Sequence, residues 1–340
     1  MINAAIIGLG WWGKNLVNAV RRSEAIRFTV AHTRTAAPVA DFCRDHALRW
    51  TGDLDAVLGD PAIDAVVFAT PHSLHADQVR RAAAAGKAVF VEKPFALTVA
   101  DAQGMIAAAA RAGIVLAVGF NRRFHPSMGR LRAAIRDGTL GTVVSISGEQ
   151  TALHGLDLTA DAWRAQPQEA PGGAMTAIGV HLVDGMIDLL GRVSDVRAVV
   201  TRRAAPHSDD TTTLLLRFAN GATGQVFCST AATPNYRFAA YGTRGLAEIL
   251  GHPMAIFRLV PSLAGEHRQT GEPKVVEAPR FNMLNAELES FAASVASGRP
   301  FPTPLDDILH GVEVFEAVLR SAASGAAENV PNLSAAALSA

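Results

Sequence analysis

The sequence predicts an α/β protein with two parts, a doubly wound domain on a parallel sheet and an α+β domain on an antiparallel sheet. Three observations support this prediction. Short apolar runs alternate with helical patterns up to about residue 121. The glycines Gly8, Gly10 and Gly13 directly follow the first apolar run. The pair Asn220-Gly221 separates two apolar-rich runs, which is a strong signal for a β-hairpin.

The chain has 340 residues, which exceeds the usual size of one hydrophobic core, so two domains are expected. We predict a first domain at 1–122 and a second at 123–340. The strands of the first domain (AAIIG, RFTVAH, DAVVFAT, AVFVE and VLAVGF) are rich in Val, Ile and Ala on both faces. This composition is typical of parallel strands covered by helices. In the second domain, a helical pattern interrupts the antiparallel strands and two more close the chain.

Composition and charge indicate which kinds of binding partner are unfavoured. Lys+Arg and Asp+Glu both number 31, so the formal net charge is zero and neither a nucleic acid nor an acidic membrane is favoured. The two cysteines, Cys43 and Cys228, lie far apart, which indicates a reducing compartment and no metal site. No apolar stretch is long enough to span a membrane, and the N-terminus has no basic leader. We therefore expect a cytoplasmic location.

The motif G-x-G-x-x-G of Gly8, Gly10 and Gly13 lies between a predicted strand and a predicted helix, as a dinucleotide-binding cradle requires. Gly8 would allow the tight turn, Gly10 the approach of a pyrophosphate, and Gly13 close helix packing. The N–H groups and dipole of the helix would then face the phosphates. Trp11 and Trp12 occupy variable positions of the motif, and we expect Trp11 to line the nicotinamide pocket. For Trp12, packing against a neighbouring loop is the favoured interpretation.

Cofactor choice depends on the end of the second strand. NAD enzymes usually have an acidic residue there for the ribose hydroxyls. This chain instead has Thr33 and Arg34, and an arginine is suited to a 2′-phosphate. The sequence therefore favours NADP over NAD, and a solvated loop arginine is the alternative.

Two further strands end in residues that suggest catalysis. One ends in Thr70-Pro71, followed by His75, and the next ends in Glu92-Lys93. Ligands bind at the carboxyl ends of the strands in such sheets, so Lys93 is expected near the nicotinamide. The predicted cofactor-binding residues are Gly8, Gly10, Trp11, Trp12, Gly13, Thr33, Arg34, Thr70, Pro71, His75, Glu92 and Lys93. We expect His75 and Glu92 to support the loops.

The segments GLGWWG, IDAVVFATPHSLH, GKAVFVEKPFALT, GFNRRFHP, PGGAMTAIGVHLVD and DDTTTLLLRFANGATGQV together resemble the Gfo/Idh/MocA oxidoreductase family (glucose–fructose oxidoreductase, inositol dehydrogenase and rhizopine catabolism). The resemblance covers most of the chain. It implies a Rossmann domain and a domain with a large, mostly antiparallel sheet. It also implies hydride transfer between NAD(P) and a secondary alcohol or ketone, often on a sugar or cyclitol.

The resemblance also implies site residues. Lys93 matches the lysine that family members use at the substrate hydroxyl. A family pattern G-G-x-x-x-D-x-G-x-H begins here at Gly172, and it gives His181 but has Ala177 in place of the aspartate. Residues four apart on an α-helix share a face, so positions 177 and 181 are expected to face the cleft together. The catalytic residues are thus predicted to be Lys93, which polarises the substrate oxygen, and His181, which shares the proton transfer.

The predicted substrate-binding residues are Lys93, Asn121, Arg122, Arg123, Trp163, Arg164 and His181. For the arginines after the last strand of the first domain, substrate binding and an interface role are equally favoured. Asp184 is expected on a solvated helix surface. The apolar strands TLLLRF and GQVFCST suggest a homodimer or homotetramer. The alternatives are a non-catalytic regulator that binds dinucleotide or sugar, and a dehydrogenase of a non-sugar dihydrodiol.

Overall fold

The computed structural model describes residues 1–263, 270–278 and 280–336, and these form two compact units. The first unit comprises Met1–Asn121, Asn282–Val312 and Leu333–Ala340, and the second comprises Arg122–Phe281 and Glu313–Asn332. The first division lies one residue from the predicted boundary. However, two segments that the prediction places in the second domain belong to the first unit. Residues 337–340 of the predicted second domain lie outside the described residues.

The first unit contains a parallel sheet of six strands in the order β3-β2-β1-β4-β5-β6. Its strands are β1 (Ile2–Ile7), β2 (Ile26–His32), β3 (Arg49–Thr51), β4 (Ala65–Phe68), β5 (Ala88–Val91) and β6 (Leu116–Val118). All five predicted strands are present. The sequence did not predict β3, because this short edge strand lacks an apolar run. The order is that of a Rossmann fold, and every strand runs toward the same edge of the sheet.

The α-helices of the described chain are numbered along the sequence. They are α1 (Trp11–Ala19), α2 (Ala40–Asp45), α3 (Leu54–Leu58), α4 (His75–Ala84), α5 (Val99–Ala112), α6 (Pro126–Arg136), α7 (Val180–Leu190), α8 (Met283–Ser297) and α9 (Leu305–Ser324). The predicted second domain was expected to hold α8, but this helix packs against α1, β1 and β2. Its side chains Leu288 and Phe291 are fully buried there, so hydrophobic burial attaches α8 to the first unit.

The second unit contains a nine-stranded sheet in the order β14-β13-β12-β11-β7-β10-β9-β8-β15. Its strands are β7 (Val143–Thr151), β8 (Val193–Thr201), β9 (Thr211–Phe218), β10 (Thr223–Ser229), β11 (Asn235–Gly242), β12 (Gly245–Leu250), β13 (Ile256–Pro261), β14 (Lys274–Glu277) and β15 (Glu328–Asn329). Every pairing is antiparallel except that of β7 with β10. The predicted fold class, an α/β Rossmann domain plus an α+β domain with a large, mostly antiparallel sheet, is confirmed.

The hairpin at Asn220-Gly221 is present and joins β9 to β10. The Asn220 side chain accepts a hydrogen bond from the N–H of Ala222 at 3.0 Å, and Gly221 has φ +88°. A left-handed φ of this kind is the reason that glycine is favoured at this position. The turn thereby sets the register of the two strands.

The two faces of the second sheet differ in their cover. On one face, α7 packs so closely that a Cβ at Gly148 would lie 3.1–3.3 Å from Met186, Leu182 and Phe238. On the other face, Val199, Leu215 and Phe227 are 58%, 56% and 39% exposed in the single chain. We refer to this second surface as the open face.

Candidate active site

The glycine motif forms a tight turn between β1 and α1. Gly8 has φ +95°, and a Cβ there would lie 2.5 Å from the carbonyl oxygen of Ala69. A Cβ at Gly13 would lie 2.1 Å from the carbonyl oxygen of Gly8. Side chains are therefore excluded at both positions. Gly10 differs, because an added Cβ would meet no described atom within 4 Å.

This open space lies at the start of α1. Gly10 is the N-cap residue, and no described side chain accepts a hydrogen bond from the first-turn N–H groups. Such N–H groups and the positive end of the helix dipole favour a phosphate. Gly8, Gly10 and Gly13 therefore have the geometry that a dinucleotide pyrophosphate requires, and when bound, the nicotinamide of such a cofactor would accept or supply a hydride.

The two tryptophans follow immediately. The Trp11 ring is 75% exposed, whereas Trp12 is half-buried, and the ring centroids lie 5.4 Å apart at an interplanar angle of 43°. The Trp12 Nε1 is enclosed and has no hydrogen-bond acceptor within the described ranges. Trp11 is thus the indole that remains accessible beside the cradle, and its contact with the nicotinamide stays a prediction.

The end of β2 offers polar and cationic groups. Arg34 is exposed and Thr33 is half-buried. Burial lowers the pKa of the neighbouring His32, although the Thr51 carbonyl, 3.2 Å from Nδ1, opposes this shift. The Asp53 carboxylate also acts on His32, but its Oδ1 accepts the N–H groups of Asp55 and Ala56 at the start of α3.

The loops after β4 and β5 are tied together by His75, which is fully buried. Its Nδ1 lies 3.1 Å from the carbonyl oxygen of Pro94, and its Nε2 lies 3.3 Å from that of Thr70. The Thr70 hydroxyl donates to Gln78 Oε1 at 2.6 Å, and Pro71 leads into a short 3-10 turn. His75 therefore braces the loop that precedes α4 against the loop that contains Lys93.

Lys93 lies beyond the carboxyl end of β5 and is half-buried. The buried Glu92 carboxylate accepts the N–H of Lys93 at 3.2 Å through Oε2. Gly119 lies beside this carboxylate, since a Cβ at Gly119 would be 2.9–3.0 Å from it. Because β1, β4 and β5 are neighbouring parallel strands, Lys93, Thr70 and Gly8 belong to the same edge of the first sheet.

In the second unit, His181 is in the first turn of α7 and is buried. The preceding residues Met175–Gly179 form a π-helix, which the sequence did not predict. Ala177 lies within this π-helix and His181 follows it, so the turn that joins them is not a regular α-helical turn. That the two side chains share a face stays a prediction. Such π-helical insertions are frequent at functional sites.

A row of side chains crosses the second sheet next to the π-helix. The strand registers place Tyr236, Gln150, Cys228 and Thr212 side by side. A Cβ at Gly179 would lie 3.2 Å from Cys228 Sγ, so the π-helix packs on this row. Burial raises the pKa of Cys228 to about 12, which keeps the thiol protonated at neutral pH.

Arg122 joins this row from outside the sheet. Its guanidinium lies over the Tyr236 ring, 5.4 Å from the ring centroid. Burial lowers the pKa of the guanidinium and raises that of Tyr236. The enclosed Nη1 of Arg122 has no acceptor, and Gln150 Oε1 has no donor, among the residues that the structure describes. Sequence reasoning missed Tyr236 and Gln150, although both occupy inward positions of alternating strands.

Arg123 has a different environment from Arg122. Its Nη2 donates to Asp184 Oδ1 at 2.7 Å, and its Nη1 lies 3.4 Å from Asp188 Oδ1. Arg132 also binds Asp188. The expectation that Asp184 is solvated is wrong, because this carboxylate is buried against Arg123.

The remaining predicted substrate residues are Asn121, Trp163 and Arg164. Asn121 is buried at the end of the first unit. Trp163 begins a 3-10 turn, and the exposed Arg164 lies 4.1 Å from its ring centroid. Among the described residues, no group of three or more His, Cys, Asp or Glu side chains could hold a metal. Nor does any described helix combine the length and hydropathy of a membrane span.

Two family models match the chain. Residues 2–120 match "Oxidoreductase family, NAD-binding Rossmann fold", and residues 128–248 match "GFO/IDH/MocA C-terminal domain". Two curated relatives are named dehydrogenases. Trans-1,2-dihydrobenzene-1,2-diol dehydrogenase of Bos taurus is 27% identical over 82% of this chain and 81% of its own. D-apiose dehydrogenase of Paraburkholderia graminis is 33% identical over 67% of this chain and 60% of its own.

A solved structure shares the fold. Levoglucosan dehydrogenase in complex with NADH superposes with a TM-score of 0.88 at 24% identity, over 98% of this chain and 100% of that chain. The glycine motif, the lysine after β5 and the two family models all indicate the same family. The chain belongs to the Gfo/Idh/MocA family of NAD-binding oxidoreductases.

Proposed function

We propose that this enzyme transfers a hydride between a nicotinamide cofactor and a secondary alcohol or ketone on a sugar, cyclitol or related ring. The observation that carries the proposal is the position of Lys93. It follows β5 at the same sheet edge as the glycine cradle, and Glu92 and His75 fix its loop. A half-buried ammonium there is suited to polarise the oxygen of a reacting alcohol.

Proton transfer is assigned to Lys93 and His181. Removal of a hydride from carbon requires that the hydroxyl proton leaves, and a positioned basic side chain accepts it. An imidazole suits this role near neutral pH. Ala177 occupies the position of the family aspartate, so we assign the acid–base role to His181 together with Lys93.

The substrate ring is assigned to polar groups of the second unit. Arg122 Nη1 and Gln150 Oε1 have no hydrogen-bond partner in the described part of the chain. A donor, an acceptor and the Tyr236 phenol together match the hydroxyl groups of a polyol. Trp163 and Arg164 remain candidates for a further contact with the substrate. Arg123 is engaged by two carboxylates, which favours a structural role over substrate binding.

The substrate test measures reduction of NAD and NADP with a panel of sugars, cyclitols, sugar acids and dihydrodiols. The relatives named for apiose, levoglucosan and dihydrobenzenediol guide the panel. Lys93→Ala is expected to lower kcat at least about a hundredfold, the scale of a general acid–base group. Lys274→Ala, on exposed β14, is the control. Unchanged turnover in Lys93→Ala would reject the assignment.

For the cofactor, we propose NADP, with Arg34 as the 2′-phosphate ligand and Thr33 beside it. The exposed guanidinium after β2 supports this choice. Arg34→Ala should raise the KM for NADP about tenfold, the value of one charge-assisted contact of about 1.4 kcal/mol, and leave the KM for NAD unchanged. A wild-type preference for NAD would contradict the proposal.

We also propose that two copies associate through the open face. Val199, Leu215 and Phe227 are exposed there on three neighbouring strands, and exposed apolar surface marks association sites. Light scattering should give a dimer or tetramer, and Leu215→Arg should shift it toward monomer. A monomeric wild type would exclude this interface.

A further inference from the structure

Behind Lys93, helix α8 packs against strand β5 through two aromatic rings. The ring centroids of Phe90 and Phe291 lie 5.7 Å apart. Glu92 is two residues beyond Phe90 and continues the strand pairing, since its N–H donates to the carbonyl oxygen of Phe68 at 2.9 Å. Residues two apart on a strand share a face, as do residues four apart on a helix. Glu92 and Glu287 therefore lie on the same faces of the two elements as Phe90 and Phe291, and the Glu92 charge acts on Glu287.

Both carboxyl groups are buried. Glu287 is 0% exposed and Glu92 is 4% exposed. Neither oxygen of Glu287 receives a hydrogen bond from any residue that the structure describes. Burial raises the pKa of Glu287 well above its usual range, and the Glu92 charge raises it further. An ionised Glu287 would be a desolvated charge beside a like charge, so the neutral acid is the stable form.

Within the described ranges, no cation has a resolved effect on Glu287. Strands β1, β5 and β6 contain no titratable side chain. On α1, Lys14 lies 5.4 Å from the Phe42 ring centroid, and on β2, Arg27 donates to Asn3 and His32 contacts the Thr51 carbonyl. On α8 itself, Glu289 accepts a hydrogen bond from Ser23 at 2.8 Å. After β5, Glu92 and Lys93 are the titratable groups, and only the Glu92 charge has a resolved effect on Glu287.

We propose that Glu287 is a positioning residue for Lys93, a neutral acid that faces the Glu92 carboxylate and holds it against the Lys93 backbone. Glu92 is then constrained by Glu287 from α8, by the close approach of Gly119 from β6, and by the Lys93 N–H at 3.2 Å. The catalytic part of this inference rests on the proposed role of Lys93. The protonation of Glu287 does not.

The first test measures the midpoint of thermal unfolding against pH for the full-length wild type and Glu287→Gln. A carboxyl whose pKa is raised by folding contributes stability that is present below about pH 4.3 and is lost as the pH rises toward the folded-state pKa. Gln cannot lose a proton, so Glu287→Gln should be the more stable protein at pH 8, by about 2 °C or more. This difference should shrink toward pH 5.

Glu289→Gln, on the same helix, is the matched control and should follow the wild type at every pH. Glu92→Gln should shift the midpoint in the direction of Glu287→Gln by a smaller amount, because it removes only the like charge. The double variant should match Glu287→Gln, since the two changes act on one interaction. If the unfolding midpoints of wild type and Glu287→Gln differ by the same amount at every pH, Glu287 is not a neutral acid in the folded protein. Absence of a protonated-carboxyl infrared band that is lost in Glu287→Gln would lead to the same conclusion.

The second test measures kcat/KM. Glu287→Leu removes the polar group that packs beside Glu92 and should lower kcat/KM at least about tenfold, as expected when a catalytic group is misplaced. Glu287→Gln keeps a polar side chain of the same size, so it should rescue activity at pH 7 and move the alkaline decline of the profile to higher pH. Equal activity of Glu287→Leu and wild type would refute the positioning role. If the unfolding result holds but no substrate is turned over, the proposed function fails while the neutral acid stands.

Discussion

Two buried carboxyl groups, one in each unit, show how different surroundings decide charge. Glu287 in the first unit and Asp210 in the second are both 0% exposed. The Oδ2 of Asp210 accepts the N–H groups of Arg203, Ala204 and Ala205 at 2.9, 2.6 and 2.7 Å, and Oδ1 accepts the Thr211 hydroxyl. Glu287 receives no such donor from the described residues.

The two pKa values accordingly shift in opposite directions. Burial alone would raise the pKa of Asp210, but the four hydrogen bonds lower it below the usual range. Without donors, burial raises the pKa of Glu287. Burial therefore does not decide the charge of a carboxyl group in this protein, and the hydrogen-bond donors do. A third buried carboxyl group, Asp184, is paired with the guanidinium of Arg123 at 2.7 Å.

Asp210 also has a structural link to the candidate site. The preceding residue, Asp209, accepts the N–H of Ala174 at 3.0 Å through its carbonyl oxygen. A Cβ at Gly173 would lie 1.8 Å from the same oxygen. The turn around Asp210 thus supports the start of the π-helix that leads to His181.

The largest effect is expected when an opposite charge is removed from a buried pair. Asp184→Asn leaves Arg123 without its main counter-charge in the second unit. We expect the free energy of unfolding to fall by about 3 kcal/mol, since an uncompensated buried charge is costly. Urea denaturation measures this change. A loss below about 1 kcal/mol would mean that Asp188 alone compensates Arg123.

A smaller loss is expected when the donors around Asp210 lose their charged acceptor. Asp210→Asn keeps the shape but not the charge, and one amide hydrogen would face backbone N–H groups. The expected loss is about 2 kcal/mol near pH 7, the range for hydrogen bonds to a charged group. Urea denaturation of Asp210→Asn and of Glu287→Gln near pH 7 measures both effects. Glu287→Gln should not destabilise the protein at this pH.

The stability contributions of Asp210 and Glu287 should change in opposite directions as the pH rises. The pKa of Asp210 is lowered in the folded state, so its contribution is complete above about pH 3.9 and is lost as the pH falls through the folded value. The stability difference between wild type and Asp210→Asn should therefore shrink below pH 4. For Glu287→Gln it should grow above pH 4.3. Urea midpoints from pH 3 to 8 test both, and parallel curves would contradict the comparison.

The smallest effect is expected at an exposed pair. Asp41 lies 2.9 Å from Arg44 on α2, and both side chains are mostly exposed. Solvent screens such a pair, so Asp41→Asn should change the free energy of unfolding by at most about 0.5 kcal/mol. Urea denaturation of this variant gives the baseline for a carboxylate that is not buried. A loss as large as that of Asp210→Asn would remove the distinction between buried and exposed carboxylates.

Local chemistry made several features predictable from the sequence. The glycine motif, the strands of the first sheet and the Asn220-Gly221 hairpin each depend on residues within a short segment. A left-handed φ or a helix N-terminus is specified by the residues that adopt it, so the pattern can be read without distant contacts. The position of Lys93 just after β5 is likewise predictable from the strand pattern that precedes it.

The sequence alone determined the two-part architecture, the glycine turn before α1 and the lysine after β5. Only the tertiary structure decided that α8 joins the first unit, that Tyr236 lies beside Gln150, that a π-helix precedes His181, and that Glu287 is buried without a hydrogen-bond donor from the described residues. These features arise from packing and strand register between residues far apart in the chain. Their energies depend on burial and on neighbouring donors, which no local pattern records.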